Sequence, residues 1–268
     1  MTGLGTVFDR ARGDGHAVLV GYLPAGFPSF GGCIAAMTAM VAAGVEIVEV
    51  GLPYSDPVLD GPVIQEASDR ALRAGTRTRD VLRTVEAVAA TGVATLLMSY
   101  WNPVERHGVE AFARDLAGAG AAGLITPDLI PDEAEEWLAA SDQYGLDRIF
   151  LVSPASTDVR IKAAADACRG FVYATSVMGV TGTREQTGRH APGLVARVRE
   201  QTDIPVGLGL GVSTRAQASE VASYADGVIV GSAFVRRLLD APDEATGVDR
   251  VGALAAELVD GVRHSHRD

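Results

Sequence analysis

Eight short apolar runs alternate with stretches of helical period along 268 residues, and that alternation limits the fold more than any single motif. The runs are AVLVGYL (17–23), VEIVEVG (45–51), VATLLMS (93–99), AGLIT (122–126), DRIFLV (147–152), GFVYATS (170–176), IPVGLGL (204–210) and DGVIVG (226–231). Strands this uniformly apolar are buried on both faces, as in a parallel sheet covered by helices. Right-handed β–α crossovers repeated eight times close into a (β/α)8 barrel, although periodicity by itself also admits a doubly wound open sheet. No linker or low-complexity segment divides the chain, and barrels of about 250 residues are routinely single domains. The expectation is one α/β TIM-barrel domain spanning 1–268.

Helix signals agree with the alternation. Ser29 precedes FGGCIAAMTAMVAAG, and Asp132-Glu133 open DEAEEWLAASDQYG, where acids complement a helix N-terminus. A segment near 4–12 reads as an extra N-terminal helix, and 62–75 is an insertion before the helix TRDVLRTVEAVAATG. The stretch VMGVTGTREQTGRHAP (177–192) lacks an apolar period and follows the sixth run, so a mobile loop is expected there.

Net charge is −11, which argues against nucleic acid as a partner and offers an anion no long-range attraction. No apolar run approaches the length of a membrane span, and the first residues have no apolar signal region, so a cytoplasmic protein is expected. Cys33 and Cys168 lie in helix-like stretches and are expected as two buried thiols; a bridge between them is the alternative.

In such a barrel the chemistry belongs at the C-terminal ends of the strands. Glu46 and Glu49 are three residues apart, so they point to opposite faces, and Glu49 lies nearer the C-terminal end. Burial there would raise its carboxyl and suit it to proton transfer near neutrality, but a structural carboxylate is an equal reading of position alone. Asp60 and Asp56 sit in the proline-rich loop that follows, where acids also serve turns. Three glycine-rich stretches come late: GVTGTR (179–184), GLGLGVST (207–214) and GSAF (231–234), the last placing Ser232 at a helix start. Backbone N–H groups at such turns and helix starts can cradle a phosphate without basic side chains, although the same glycines could serve tight turns only. Schiff-base chemistry needs a lysine at a strand end, yet the one lysine, Lys162, is in the helix-like DVRIKAAADA. None of His16, His107, His190, His264 and His266 ends a strand, so no metal site is expected. Acid–base catalysis by carboxylates remains, with Tyr173 as a further candidate.

EVGLPYSDPVLDGPVIQ (49–65) resembles the signature region of the tryptophan synthase alpha chain family. The resemblance continues in order through PAGFP (24–28), SYWNPV (99–104), GLITPDLIPDEA (123–134), YATSVMGVTGTR (173–184), GLGLGVST (207–214) and VIVGSAFV (228–235). Departures are Pro24, Trp101, Thr126 and Ile130, none of which removes a candidate catalytic group.

That resemblance implies a (β/α)8 lyase cleaving indole-3-glycerol phosphate to indole and glyceraldehyde 3-phosphate. It makes Glu49 the acid–base, Asp60 the partner of the indole N–H, and Tyr173 a neighbour that positions Glu49. It puts Gly182, Gly211, Gly231 and Ser232 at the phosphate, and Tyr22, Ile64, Met98 and Ile125 around the indole. It assigns Thr181 to a lid, and the loop with Pro53, Asp56 and Pro57 to the side of a partner. That partner is the beta chain, which carries pyridoxal phosphate in an α2β2 complex, while this chain needs no cofactor. A stand-alone lyase, a weakly catalytic activator of the beta chain, and another phosphate-binding barrel are the alternatives.

Overall fold

The computed structural model describes residues 3–175 and 184–265. All eight expected runs form strands: β1 (Val18–Pro24), β2 (Ile47–Gly51), β3 (Ala94–Met98), β4 (Gly123–Ile125), β5 (Asp147–Ile149) with β6 (Leu151–Val152), β7 (Val172–Thr175), β8 (Val206–Gly209) and β9 (Gly227–Val230). Only Phe150 separates β5 from β6, so these two are pieces of one strand. Every pairing in the ladder is parallel, in the order β5-β4-β3-β2-β1-β9-β8-β7-β6. The two ends of that order are neighbours in the chain, so the sheet closes as a barrel rather than lying open.

Helices follow the strands and cover the outside: α2 (Phe30–Ala42), α3 (Pro62–Arg73), α4 (Thr78–Ala89), α5 (Trp101–His107), α6 (Val109–Gly118), α7 (Glu135–Tyr144), α8 (Asp158–Ala167), α9 (Arg184–Arg199), α10 (Arg215–Ala222), α11 (Ser232–Leu239) and α12 (Glu244–Arg263). As expected, the Ser29 hydroxyl accepts from the Gly32 N–H at 2.9 Å. Asp132 and Glu133, expected to open the helix after β4, instead lie in a short 3-10 turn ahead of α7, and Asp243 caps α12 by accepting from the Thr246 N–H at 2.8 Å. The insertion is α3. Residues 184–192, expected within the loop after the sixth run, are instead the opening of α9; the remainder of that loop, 177–183, lies outside the described residues.

The apolar interior has two parts. The larger joins strands to the surrounding helices, and the smaller fills the barrel with Val18, Val20, Ile47, Leu96, Ile125, Ile149, Phe171 and Ile229. The extra N-terminal helix, α1 (Leu4–Gly13), joins this second group through Leu4, Val7, Phe8 and Ala11. Phe8 packs on Phe171 with ring centroids 5.5 Å apart, and a Cβ on Gly227, the first residue of β9, would meet it at 3.3 Å. The helix therefore plugs the N-terminal end of the barrel and leaves the C-terminal end for chemistry. Phe8 is 2% exposed. Phe8→Ala is expected to cost about 3–5 kcal/mol through lost burial and the cavity left behind, read as a lower urea midpoint for unfolding.

Both cysteines are buried free thiols, as expected, and burial pushes the Cys168 thiol up to about 12. No helix among the described residues is long and apolar enough to cross a membrane.

Candidate active site

Side chains alternate along a strand, so Glu49 shares the inward face of β2 with Ile47. Ile47 belongs to the barrel filling, and Glu49 sits one layer nearer the C-terminal mouth. It is 1% exposed, and its Oε2 has no hydrogen-bond partner among the described residues. Desolvation, with the Asp60 charge as a second cause, raises the Glu49 carboxyl from 4.5 to about 8. Glu46 is different: it stands before β2, near the plugged end, with its carboxylate 3.8 Å from His16 Nδ1.

Around Glu49 the mouth is built from tyrosines standing over glycines. Tyr22 on β1 is in register with Glu49, and a Cβ on Gly51 would fall on its hydroxyl. A Cβ on Gly231 would meet the Tyr22 ring at 3.0 Å, and one on Gly209 would meet the Tyr173 hydroxyl at 2.7 Å. Glycine at these places leaves the rings room to lie across the mouth. Burial, then the two nearby acids, raises both phenols well above their usual range, so both hydroxyls stay neutral.

Asp60 lies in the loop 52–61 after β2, which forms no helix or strand. Its Oδ1 accepts from the Tyr100 hydroxyl at 3.2 Å, and the same hydroxyl accepts from the Leu59 N–H at 3.0 Å. Burial raises the Asp60 carboxyl, and the Tyr100 hydrogen bond works against that rise. Tyr100 directly follows the third run, inside SYWNPV, and its part in the site is a contact between loops that the sequence does not display.

Further round the same rim, Gly211 follows β8 with φ +70°, a left-handed turn open to glycine. Gly231 is the N-cap of α11 and Ser232 its first residue, with no side-chain cap. The Phe234 N–H donates to the Gly231 carbonyl at 2.9 Å, so Ser232 and Ala233 carry the N–H groups at the open start of that helix. Gly182 and Thr181 lie outside the described residues.

The apolar candidates are brought together in part. Met98 ends β3 and touches both apolar groups, Ile125 ends β4 within the barrel filling, and Ile64 is half-buried on the first turn of α3 against the outer layer. Pro53 is buried, Pro57 half-buried and Asp56 exposed, the last accepting from the Ser55 hydroxyl at 2.5 Å. Pro53 lines a cleft of about 370 Å³ with Leu52, Asn102, Pro103 and Arg106, and that cleft does not include Glu49. No cluster able to hold a metal occurs among the described residues, and Lys162 is exposed on α8, paired with Asp166 at 2.9 Å.

Fold and mouth together define a (β/α)8 barrel enzyme with one desolvated carboxyl, one hydrogen-bonded carboxyl and glycine-rich turns at its rim. The profile of the tryptophan synthase alpha chain family matches residues 8–263, and the chain belongs to that family. It is 65% identical over 263 residues to the tryptophan synthase alpha chain of Salinispora tropica, covering 98% of each. A solved structure of Mycobacterium tuberculosis tryptophan synthase superimposes with a TM-score of 0.91 at 58% identity, covering 97% of this chain and 98% of that one. The tryptophan synthase subunit alpha of Legionella pneumophila, at 30% identity, still gives 0.88 over 98% of each.

Proposed function

We infer that this chain is the alpha subunit of a tryptophan synthase, a carbon–carbon lyase cleaving indole-3-glycerol phosphate to indole and glyceraldehyde 3-phosphate, with the whole chain acting as one cytoplasmic domain. The observation that carries the chemistry is the buried Glu49 carboxyl, its Oε2 without a partner among the described residues, raised to about 8 beside Asp60.

At neutral pH such a carboxyl holds its proton and can act as a general acid. Glu49 gives that proton to the indole ring carbon that bears the glycerol chain. Positive charge then develops at the ring nitrogen, whose N–H meets the ionised Asp60. Glu49, now a carboxylate, removes the proton of the adjacent glycerol hydroxyl. The C–O bond becomes a carbonyl, the C–C bond breaks, and its electron pair returns to the ring. Indole and the aldehyde leave, and Glu49 ends protonated as it began. Tyr173, neutral on β7, helps position the carboxyl, and Tyr22, neutral on the neighbouring β1, lines the indole pocket with Ile64, Met98 and Ile125. Gly211, Gly231 and Ser232, with Gly182, hold the phosphate through backbone N–H groups, and Thr181 belongs to a lid that excludes water.

The partner is a beta chain carrying pyridoxal phosphate, in an α2β2 complex. One solved M. tuberculosis tryptophan synthase is described as an aminoacrylate-bound form. Chemistry that forms an aminoacrylate on pyridoxal phosphate uses a Schiff-base lysine, and here the single lysine is exposed on α8. Val58 (74% exposed) and Ile130 (43%) stand out from the loops after β2 and β4, apolar groups suited to a protein surface beside Pro53, Asp56 and Pro57.

The test is indole release from indole-3-glycerol phosphate by the purified chain, with and without a tryptophan synthase beta chain. Release that rises on adding the beta chain supports the reading. Equal, rapid release alone favours a stand-alone lyase, and no indole in either case overturns the substrate.

A further inference from the structure

The Tyr100 hydroxyl sits where two loops meet, bonded to the Leu59 N–H at 3.0 Å and to Asp60 Oδ1 at 3.2 Å. A backbone N–H can only donate, so the hydroxyl accepts there, and its single hydrogen is left for the Asp60 carboxylate. The ring is 4% exposed and rests against Tyr54 with centroids 5.2 Å apart. Its backbone is anchored on both sides: the Ser99 N–H donates to the Ile125 carbonyl at 3.1 Å, and the Trp101 N–H to Asp128 at 2.9 Å. The loop bearing Asp60 forms no helix or strand. The Leu52 N–H donates to the Met98 carbonyl at 2.8 Å where it leaves β2, and Gln65 Nε2 donates to the Asp60 carbonyl at 2.7 Å, which leaves Tyr100 as the bond on the Asp60 side chain. Tyr100 is the fixed member of the pair and Asp60 the member being held.

We propose that Tyr100 is a positioning residue for the lyase reaction, its hydroxyl gripping Oδ1 so that Oδ2 of Asp60 is presented to the substrate ring N–H. This rests on the role given to Asp60 above. The same hydrogen bond favours the ionised carboxylate, opposing the effect of burial. The other groups that face Asp60 are Glu49 from β2, Tyr22 from β1 and Tyr173 from β7. The phenols stay neutral, so Glu49 is the one among them that titrates near neutrality.

Tyr100→Phe keeps the ring against Tyr54 and deletes only the hydroxyl. In the chain with its beta partner, kcat for indole release is expected to fall about 10- to 100-fold, with KM little changed. The acid limb of the kcat/KM profile is expected to move to higher pH, because Asp60 loses a donor that favours its charge. Incorporating 3-fluorotyrosine at position 100, a stronger donor of nearly the same shape, should move that limb the other way and keeps the test available should Tyr100→Phe fail to fold. An unmoved limb in both variants overturns the proposal, whether or not turnover slows, since packing alone would leave the limb in place. Asp60→Asn, run in parallel, separates the two assignments: if it keeps full activity, the role of Asp60 itself is wrong.

Discussion

Glu49→Gln is expected to abolish indole release while making the protein harder to unfold at alkaline pH. The loss follows from the role of the group: an amide can neither give the ring its proton nor take the hydroxyl proton, and proton transfer of this kind is worth about 10²–10⁴ in rate. The stability change follows from burial. The folded carboxyl is raised from 4.5 to about 8, so the folded state favours the protonated form. Its contribution is fully present below about pH 4.5, where the unfolded carboxyl is also protonated. It is lost progressively as pH rises to about 8, and the loss is constant beyond that. At 1.36 kcal/mol per unit the full change is about 4–5 kcal/mol. Glutamine must bury its own unpaired amide, but that cost does not depend on pH. The diagnostic quantity is therefore the slope: the melting-temperature difference between variant and parent should grow between pH 5 and pH 8 and level off by pH 9. Parallel curves across that range would mean that Glu49 is not desolvated, and the proposed acid would lose its physical basis.

Much of this site follows from local rules that a sequence displays. Strand alternation puts Glu49 inward once Ile47 is inward, and it separates Glu49 from Glu46 without any coordinates. Ser29 and Asp243 cap helices because their side chains meet N–H groups three residues on, a distance fixed by the backbone. Other features are set across long sequence separations. The grip of Tyr100 on Asp60 spans 40 residues, and the stacking of Phe8 on Phe171 spans most of the barrel. Neither leaves a period or a motif. Phe150 interrupts one strand at the point where the barrel closes, which a continuous run such as DRIFLV hides. The start of α9 was hidden too, because Gly188 and Pro192 dilute any apolar stripe across 184–192.

The two acids differ in how the fold treats them, and Asp60→Asn tests that difference. Both carboxyls are raised by burial, but Asp60 has a hydroxyl donor and Glu49 has none among the described residues. A pair of titratable groups pushed apart in this way divides the labour, the less stabilised charge becoming the acid and the other remaining ionised. Asparagine keeps the shape of Asp60 and its acceptor oxygen for Tyr100, but it cannot balance positive charge at the ring nitrogen. Loss of one such electrostatic contact is expected to lower kcat about 10²–10³-fold, with a smaller change in KM. A second effect follows from the sign of the coupling. The Asp60 charge raises the Glu49 carboxyl, so its removal lets Glu49 ionise at lower pH. Glu49 must start protonated, so the alkaline limb of the residual activity should move toward acid. Measuring kcat/KM from pH 5 to pH 9 with excess enzyme reads both effects. A slow variant with an unmoved alkaline limb would leave Asp60 a substrate contact that does not feel Glu49, and the two carboxyls would no longer form a coupled pair.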